Sequence, residues 1–291
     1  MKAKIELIEQ GTVTTPKGFQ AGAICAGIKE KAGDKLDLSI LFSKVPCVAA
    51  GVFTKNKIKA APVVLSRERL HNNNAIAVVM NSGCANACTG EQGYRDAIKM
   101  TELAAEKIGV SSEDVLVAST GVIGELLPME RIKSGVNNIV FSTDGGSLLA
   151  KAIMTTDTVP KEVAVRVGND DFIIGGVTKG SGMIHPNMGT MLCILTTDAA
   201  VEPGFLQKAL QNAVDISFNM ISVDGDTSTN DTAVIMANGL AGNKVIAQDS
   251  RQADIFQQAL NQVCIYLAKA MARDGEGAGK LIEVMVKNAR S

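Results

Sequence analysis

Apolar positions along the chain fall into short runs broken by glycine, asparagine, lysine and serine, and the period within each run separates strands from helices. Residues 38–42, 48–53, 62–65 and 75–80 are β-type runs with such boundaries. The stripe Met100, Leu103, Ala104 and Ile108 predicts a helix over 95–108. Residues 115–119 predict a buried strand running straight into Thr120-Gly121. A further helix is expected over 139–154, weakened by Gly145 and Gly146. Strands follow at 171–174, 192–196 and 232–236. Glu202-Pro203-Gly204 opens a helix whose stripe holds Leu206, Leu210, Ala213 and Val214. The longest helix, over 253–272, carries Ile255, Ala259, Val263, Leu267 and Met271 in register, and 281–286 predicts a last strand. The pattern is mixed α and β, with no regular βαβ alternation, no repeat and no low-complexity linker.

Composition sharpens this picture. Aromatic residues are 3% of the chain, with no Trp and two Tyr, while Gly numbers 28 of 291 residues. A core built from small and branched side chains must pack closely, which favours layered sheets and helices. The length fits one large domain or two ordinary ones. Lys plus Arg total 29 against 30 Asp plus Glu, a net charge of −1, which leaves no broad basic face for nucleic acid. No apolar run approaches the roughly 18 residues of a membrane helix. Charges occupy the first residues, where a secretion signal needs an apolar stretch. The expectation is a soluble cytoplasmic protein whose six cysteines are free thiols.

Several motifs fail on their own chemistry. Gly275-Glu276-Gly277-Ala278-Gly279-Lys280 has Asp274 where a phosphate loop begins with Gly, and Leu281 where it needs Ser or Thr. Asp224-Gly225-Asp226-Thr227-Ser228 starts like a calcium loop, then places Thr229 at the obligatory Gly and Ile235 at the bidentate Glu. Its Asp, Asn and Thr side chains suit turn capping instead. Two histidines, His71 and His185, are too few for a histidine metal site. Cys84 and Cys88 read first as small packing residues. No Gly-x-Ser-x-Gly elbow is present; Gly180-Ser181-Gly182 is the nearest approach.

One segment remains, from Lys179-Gly180-Ser181-Gly182 to Gly189-Thr190-Met191-Leu192, a Gly-rich loop entering an apolar strand. Thr190 reads either as a residue that simply suits β geometry or as a nucleophile exposed by cutting the Gly189–Thr190 bond. An N-terminal Thr carries its own base, an α-amine with a pKa of about 7.7–8.0. Spacing leaves both readings open.

Seven further motifs resemble, in order, the ornithine acetyltransferases, also called glutamate N-acetyltransferases, of arginine biosynthesis. They are Thr15-Pro16-Lys17-Gly18-Phe19, Phe53-Thr54-Lys55-Asn56, residues 81–90, Ser119-Thr120-Gly121-Val122-Ile123-Gly124, Met154-Thr155-Thr156-Asp157-Thr158, Ser217-Phe218-Asn219 with residues 223–231, and Asp274-Gly275-Glu276-Gly277-Ala278. The resemblance spans residues 15 to about 286. It implies an α+β layered sandwich with the nucleophile at a strand start. It also implies autocleavage at Gly189-Thr190 into an α chain (1–189) and a β chain (190–291), two of each forming a heterotetramer. Thr190 would then carry acetyl from N-acetylornithine to glutamate in a ping-pong cycle, with no cofactor and with acetyl-CoA as a further donor to consider. Thr120 and Gly121 would form the oxyanion hole. Thr156, Lys179 and Glu276 would contact substrate, although by residue chemistry alone they read as a turn threonine and two solvated charges.

The chain departs from the family in having Gly189 for Ala, Gly279 for Thr, and a shorter C-terminal part. A truncated member with the 281–286 strand unpartnered is therefore expected. Two other functions are carried alongside: an N-terminal-nucleophile amidohydrolase or aminopeptidase, and a non-catalytic member.

Overall fold

A computed structural model describes residues 4–29, 35–168, 171–186 and 191–288. In chain order the elements are β1 (Ile5–Leu7), β2 (Phe19–Ile24), β3 (Leu38–Phe53), α1 (Ala61–Arg69), β4 (Asn74–Cys84), α2 (Gly90–Ile108), β5 (Val115–Val122), α3 (Met129–Asn138), α4 (Gly146–Ala152), β6 (Lys161–Val167), β7 (Phe172–Lys179), β8 (Leu192–Thr197), α5 (Pro203–Asp215), β9 (Thr232–Ala237) and α6 (Arg251–Arg273). The strands form one nine-stranded sheet in the order β1-β6-β7-β8-β9-β3-β4-β5, with β2 added to β3. Pairs β4–β5 and β8–β9 are parallel, and the others are antiparallel.

Period-two alternation buries both faces of the central strands. On β4 and β5, Ala77, Val79, Val115 and Val117 pack against α2 and α3, whereas Val78, Met80, Leu116 and Ala118 turn the other way. On β8 and β9, Cys193, Leu195, Ala233 and Ile235 pack with α5 and α6, while Leu192, Ile194, Val234 and Met236 face away. These two inward sets share one apolar layer, which Leu149 and Ala150 of α4 also join, so the sheet doubles over on itself with α2, α3, α5 and α6 on its outer faces. The turn between halves lies in β3, whose register shifts between Phe42 and Cys47. Residues 38–43 pair with β2 and residues 48–53 with β9. The layered sandwich expected from the sequence is thus present.

The structure corrects several expected elements. Residues 62–65 are helical, because Pro62 sits in the first turn of α1, where its missing N–H costs nothing. Of the 139–154 helix only α4 forms. Upstream, Ala21 and Ser142 exchange backbone hydrogen bonds at 3.0 Å, holding that stretch extended beside β2. Residues 281–286 make no strand; Ile282, Val284, Met285 and Val286 are 72–81% exposed and pair with nothing among the described residues. Strand β6 was hidden by its charged first residue, and α3 by its few apolar positions.

Candidate active site

Near the end of β5, Thr120 is buried and is followed by the exposed Gly121. Gly121 has φ +136°, and a Cβ there would run into the Gly83 carbonyl carbon and the Cys84 nitrogen of β4, so glycine is required. Across the middle layer, β7 ends in Lys179, whose Nζ donates to Thr120 Oγ1 at 3.2 Å. Lys179 is 2% exposed, so its reading as a solvated charge is overturned. Burial, partly countered by the carboxylates of Asp157 and Asp231, pushes its pKa down to about 8. An ammonium can only donate, which leaves the Thr120 hydroxyl proton free to point elsewhere.

A second group lies beside Lys179. Thr156 Oγ1 and Ser181 Oγ share a hydrogen bond at 2.7 Å, and the Glu276 amide donates to the Ser181 carbonyl at 2.7 Å. The Glu276 carboxylate covers Gly182, where an added Cβ would meet Oε1 at 2.6 Å. Thr156 and Glu276 are both exposed, as a substrate contact needs. Thr156, Lys179 and Glu276, far apart in sequence, are therefore brought together.

Gly189 and Thr190 lie outside the described residues. Met191, the next residue, is held firmly. Its amide donates to Asp231 Oδ1 at 2.9 Å, and its carbonyl accepts the Thr232 amide at 3.0 Å. Burial raises the Asp231 carboxyl well above the usual carboxylate range, against the pull of the Met191 amide and of nearby Ser228, Thr54 and Lys179. Its Oδ2 makes no hydrogen bond of good geometry among the described residues. The preceding residue, Asn230, donates through Nδ2 to the carbonyls of Ala85 (2.7 Å) and Ser119 (2.8 Å). One loop thus ties the start of β8 to the end of β5.

The rest of that loop caps turns, as its composition suggests. Asp224 accepts the amides of Met183, Ile184 (2.9 Å) and Asp226 (3.1 Å). His185 is exposed, with Nδ1 at 3.4 Å from Ser222 Oγ. Cys84 is buried and its thiol is pushed up, chiefly by burial, whereas Cys88 is exposed. No group of three His, Cys, Asp or Glu able to hold a metal occurs among the described residues.

Compared with protein families, residues 20–291 match the ArgJ family. The chain belongs to that family. Among curated relatives, the arginine biosynthesis bifunctional protein ArgJ of Dehalococcoides mccartyi is 54% identical over 291 residues, which is 99% of this chain and 72% of the relative. The protein of the same name from Symbiobacterium thermophilum is 56% identical over 283 residues, 96% of this chain and 70% of its own. Among solved structures, Mycobacterium tuberculosis ornithine acetyltransferase complexed with ornithine is 39% identical (TM-score 0.59), covering 65% of this chain and 100% of its own. At 12% identity, an Ochrobactrum anthropi aminopeptidase described as a variant of the Ntn hydrolase fold shares the fold alone (TM-score 0.53; 91% of this chain, 88% of its own).

Sequence reading of this ArgJ-family chain missed Asp157, Lys161, Ser181, Asn230, Asp231 and Asp274. All but Lys161 sat inside motifs already singled out, with no role assigned to them. The buried Lys161 carries no such signal.

Proposed function

We propose that this ArgJ-family chain transfers acetyl from N-acetylornithine to glutamate through an acetyl ester on Thr190. The observation that carries the reading is the buried contact between Lys179 and Thr120 at the mouth of the middle layer. With Lys179 donating to its oxygen, the Thr120 O–H is oriented outward. Together with the Gly121 N–H it supplies two donors for a developing oxyanion. Lys179 adds positive charge close to that oxyanion and to a substrate carboxylate, while exposed Glu276 suits a substrate amine.

The nucleophile is first freed. Thr190 Oγ attacks the Gly189 carbonyl, the amide becomes an ester, and water opens it to give a Gly189 carboxylate and a Thr190 amine. That amine then takes the hydroxyl proton as Oγ attacks the acetyl carbonyl, and returns it to the departing ornithine nitrogen. Glutamate attacks the acetyl ester by the reverse path. The α chain of 1–189 is 189/291 = 65% of the sequence, the share that the whole ornithine acetyltransferase chain covers, which supports a cut there.

No resident cofactor is required. Acetyl-CoA is the additional donor we propose for the same threonine, in keeping with the word bifunctional in the relatives' names. Two α and two β chains would assemble in the cytoplasm. No helix among the described residues is long and apolar enough to cross a membrane. The test is intact mass and N-terminal sequencing of the purified protein, followed by incubation with N-acetylornithine and glutamate. A fragment beginning Thr190-Met191-Leu192 and acetyl on glutamate are expected. An uncut chain, or free acetate with no acetylglutamate, refutes the reading.

A further inference from the structure

Beneath Thr156, Ser181 and Glu276 lies a second tier of buried charge. Lys161, the first residue of β6, places Nζ 2.6 Å from Asp157 Oδ1 and 2.6 Å from Asp274 Oδ2, with the Val159 carbonyl at 3.3 Å taking the third donor. The side chains of Lys161, Asp157 and Asp274 are 1%, 0% and 7% exposed. Asp157 also accepts the amides of Gly180 at 2.7 Å and Thr155 at 3.0 Å. Asp274 accepts the Thr158 amide at 3.0 Å and the Thr158 hydroxyl. Its own amide donates to the Ala270 carbonyl at 3.1 Å, closing the end of α6.

The two tiers are in step along the chain. Asp157 adjoins Thr156, Gly180 stands between Lys179 and Ser181, and Asp274 is two residues before Glu276. Each contact therefore sits within two residues of a buried anchor; Asp157 and Asp274 meet at one ammonium, and Gly180 is tied to it through Asp157. Stability alone is a poor account of this cluster, because removing its charges from water offsets most of their attraction, and apolar replacements of such clusters are often as stable. Joining segments 155–158, 179–181 and 274–276, by contrast, requires a centre with several donors, and the Lys161 ammonium reaches Asp157 and Asp274 at once.

We propose that Lys161 is a positioning residue that, through Asp157 and Asp274, holds Thr156, Lys179 and Glu276 at one spacing for an amino-acid substrate. It touches no substrate itself. The inference rests on the acetyl-transfer reading above, since it takes those three residues as the substrate contacts. A misplacement of about 1 Å in a binding group is enough to cost up to about a hundred-fold in rate.

The experiment titrates ornithine into the purified protein by calorimetry, comparing the parent with Asp274→Asn, Lys161→Met, Lys161→Arg and a core control, Leu267→Ala. Asp274→Asn keeps an oxygen for Thr158 and removes the charge facing Lys161, so it decides the matter should Lys161→Met fail to fold. Ornithine affinity is expected to fall about ten-fold in Asp274→Asn and Lys161→Met and to recover in Lys161→Arg. Leu267→Ala should lose stability and keep its affinity. Parent-like affinity in a folded Asp274→Asn protein overturns the inference and leaves the acetyl-transfer reading standing. So does an affinity loss in Leu267→Ala equal to that in Asp274→Asn. A parent protein that takes up no ornithine overturns both.

Discussion

Replacing Lys179 by Met separates what this residue does for chemistry from what it does for folding. Its pKa falls from the ordinary 10.5 to about 8 on burial. At about 1.4 kcal/mol per pH unit, holding the proton inside the fold at neutral pH costs about 3 kcal/mol. The sign follows from proton counts. Below pH 8 both folded and unfolded chains carry the proton, and the cost is fully present. Between pH 8 and 10.5 the unfolded chain holds more protons than the folded one, so parent stability climbs with pH. Met resembles the neutral lysine in shape and never pays this cost, though it forfeits the hydrogen bond to Thr120, which at about 1–2 kcal/mol reduces the gain. The expected result is a variant more stable than its parent by about 1–3 kcal/mol near neutral pH, with the gap closing as pH rises past 8. Urea unfolding followed by circular dichroism measures this. Both proteins should carry Thr190→Ala so that neither is cut. A variant less stable than its parent at neutral pH, or a gap indifferent to pH, refutes the argument. In the Thr190 protein the same change should abolish acetyl transfer.

Other substitutions probe the remaining parts of the site. Thr190→Ala should leave a single uncut chain with no transferase activity, read by intact mass and acetylglutamate formation. Thr120→Val, which keeps the shape and removes one oxyanion donor, should lower kcat about 10²–10³-fold with KM little changed. Gly121→Ala should fail to accumulate as folded protein, since its Cβ meets the backbone of residues 83–84. Burial raises the carboxyls of Asp157 and Asp274, yet the charges of Lys179 and Lys161 for Asp157, and the bonds from Lys161 and Thr158 for Asp274, outweigh it and hold both below the ordinary 3.8. Their contribution is therefore present above that value and is lost as pH falls through the lower folded values. Lys161→Met should flatten this acid limb in a thermal melt followed over pH.

Strands buried on both faces were the most legible part of the sequence. Residues such as 75–80, 192–196 and 232–236 are continuous apolar runs, and no solvent-facing position interrupts them. Strand β6 escaped notice because its first residue is a lysine, which reads as solvated until two carboxylates are found against it. One of them, Asp274, lies 113 residues away. The same blindness made Lys179 look like a surface charge. Ordered motifs located Thr120, Gly121, Thr156 and Glu276, because glycine-rich loops with fixed polar residues stand out locally. Pairing between distant charges leaves no local trace, so the tier beneath the site emerged only from coordinates. Residues 281–286 show the converse error: alternation alone predicts a strand, but a strand also needs a neighbour to receive its backbone hydrogen bonds.

Strands β7 and β8 flank the Gly189–Thr190 bond and are paired through six residues, from Ile174↔Thr197 to Lys179↔Leu192. Under the proposed cleavage, this ladder would hold the two pieces laced together on either side of the cut. It also imposes an order of events. Thr120, Asp231 and Glu276 are held near the Lys179–Leu192 end of this ladder through contacts to Lys179, Met191 and Ser181, so a ribosome must have made the chain at least to residue 276 before they can meet. On the proposed reading, self-cleavage is thereby a certificate that this part of the fold has formed: a chain that stalls partway, or closes its sheet out of register, would never assemble the means to open its own backbone.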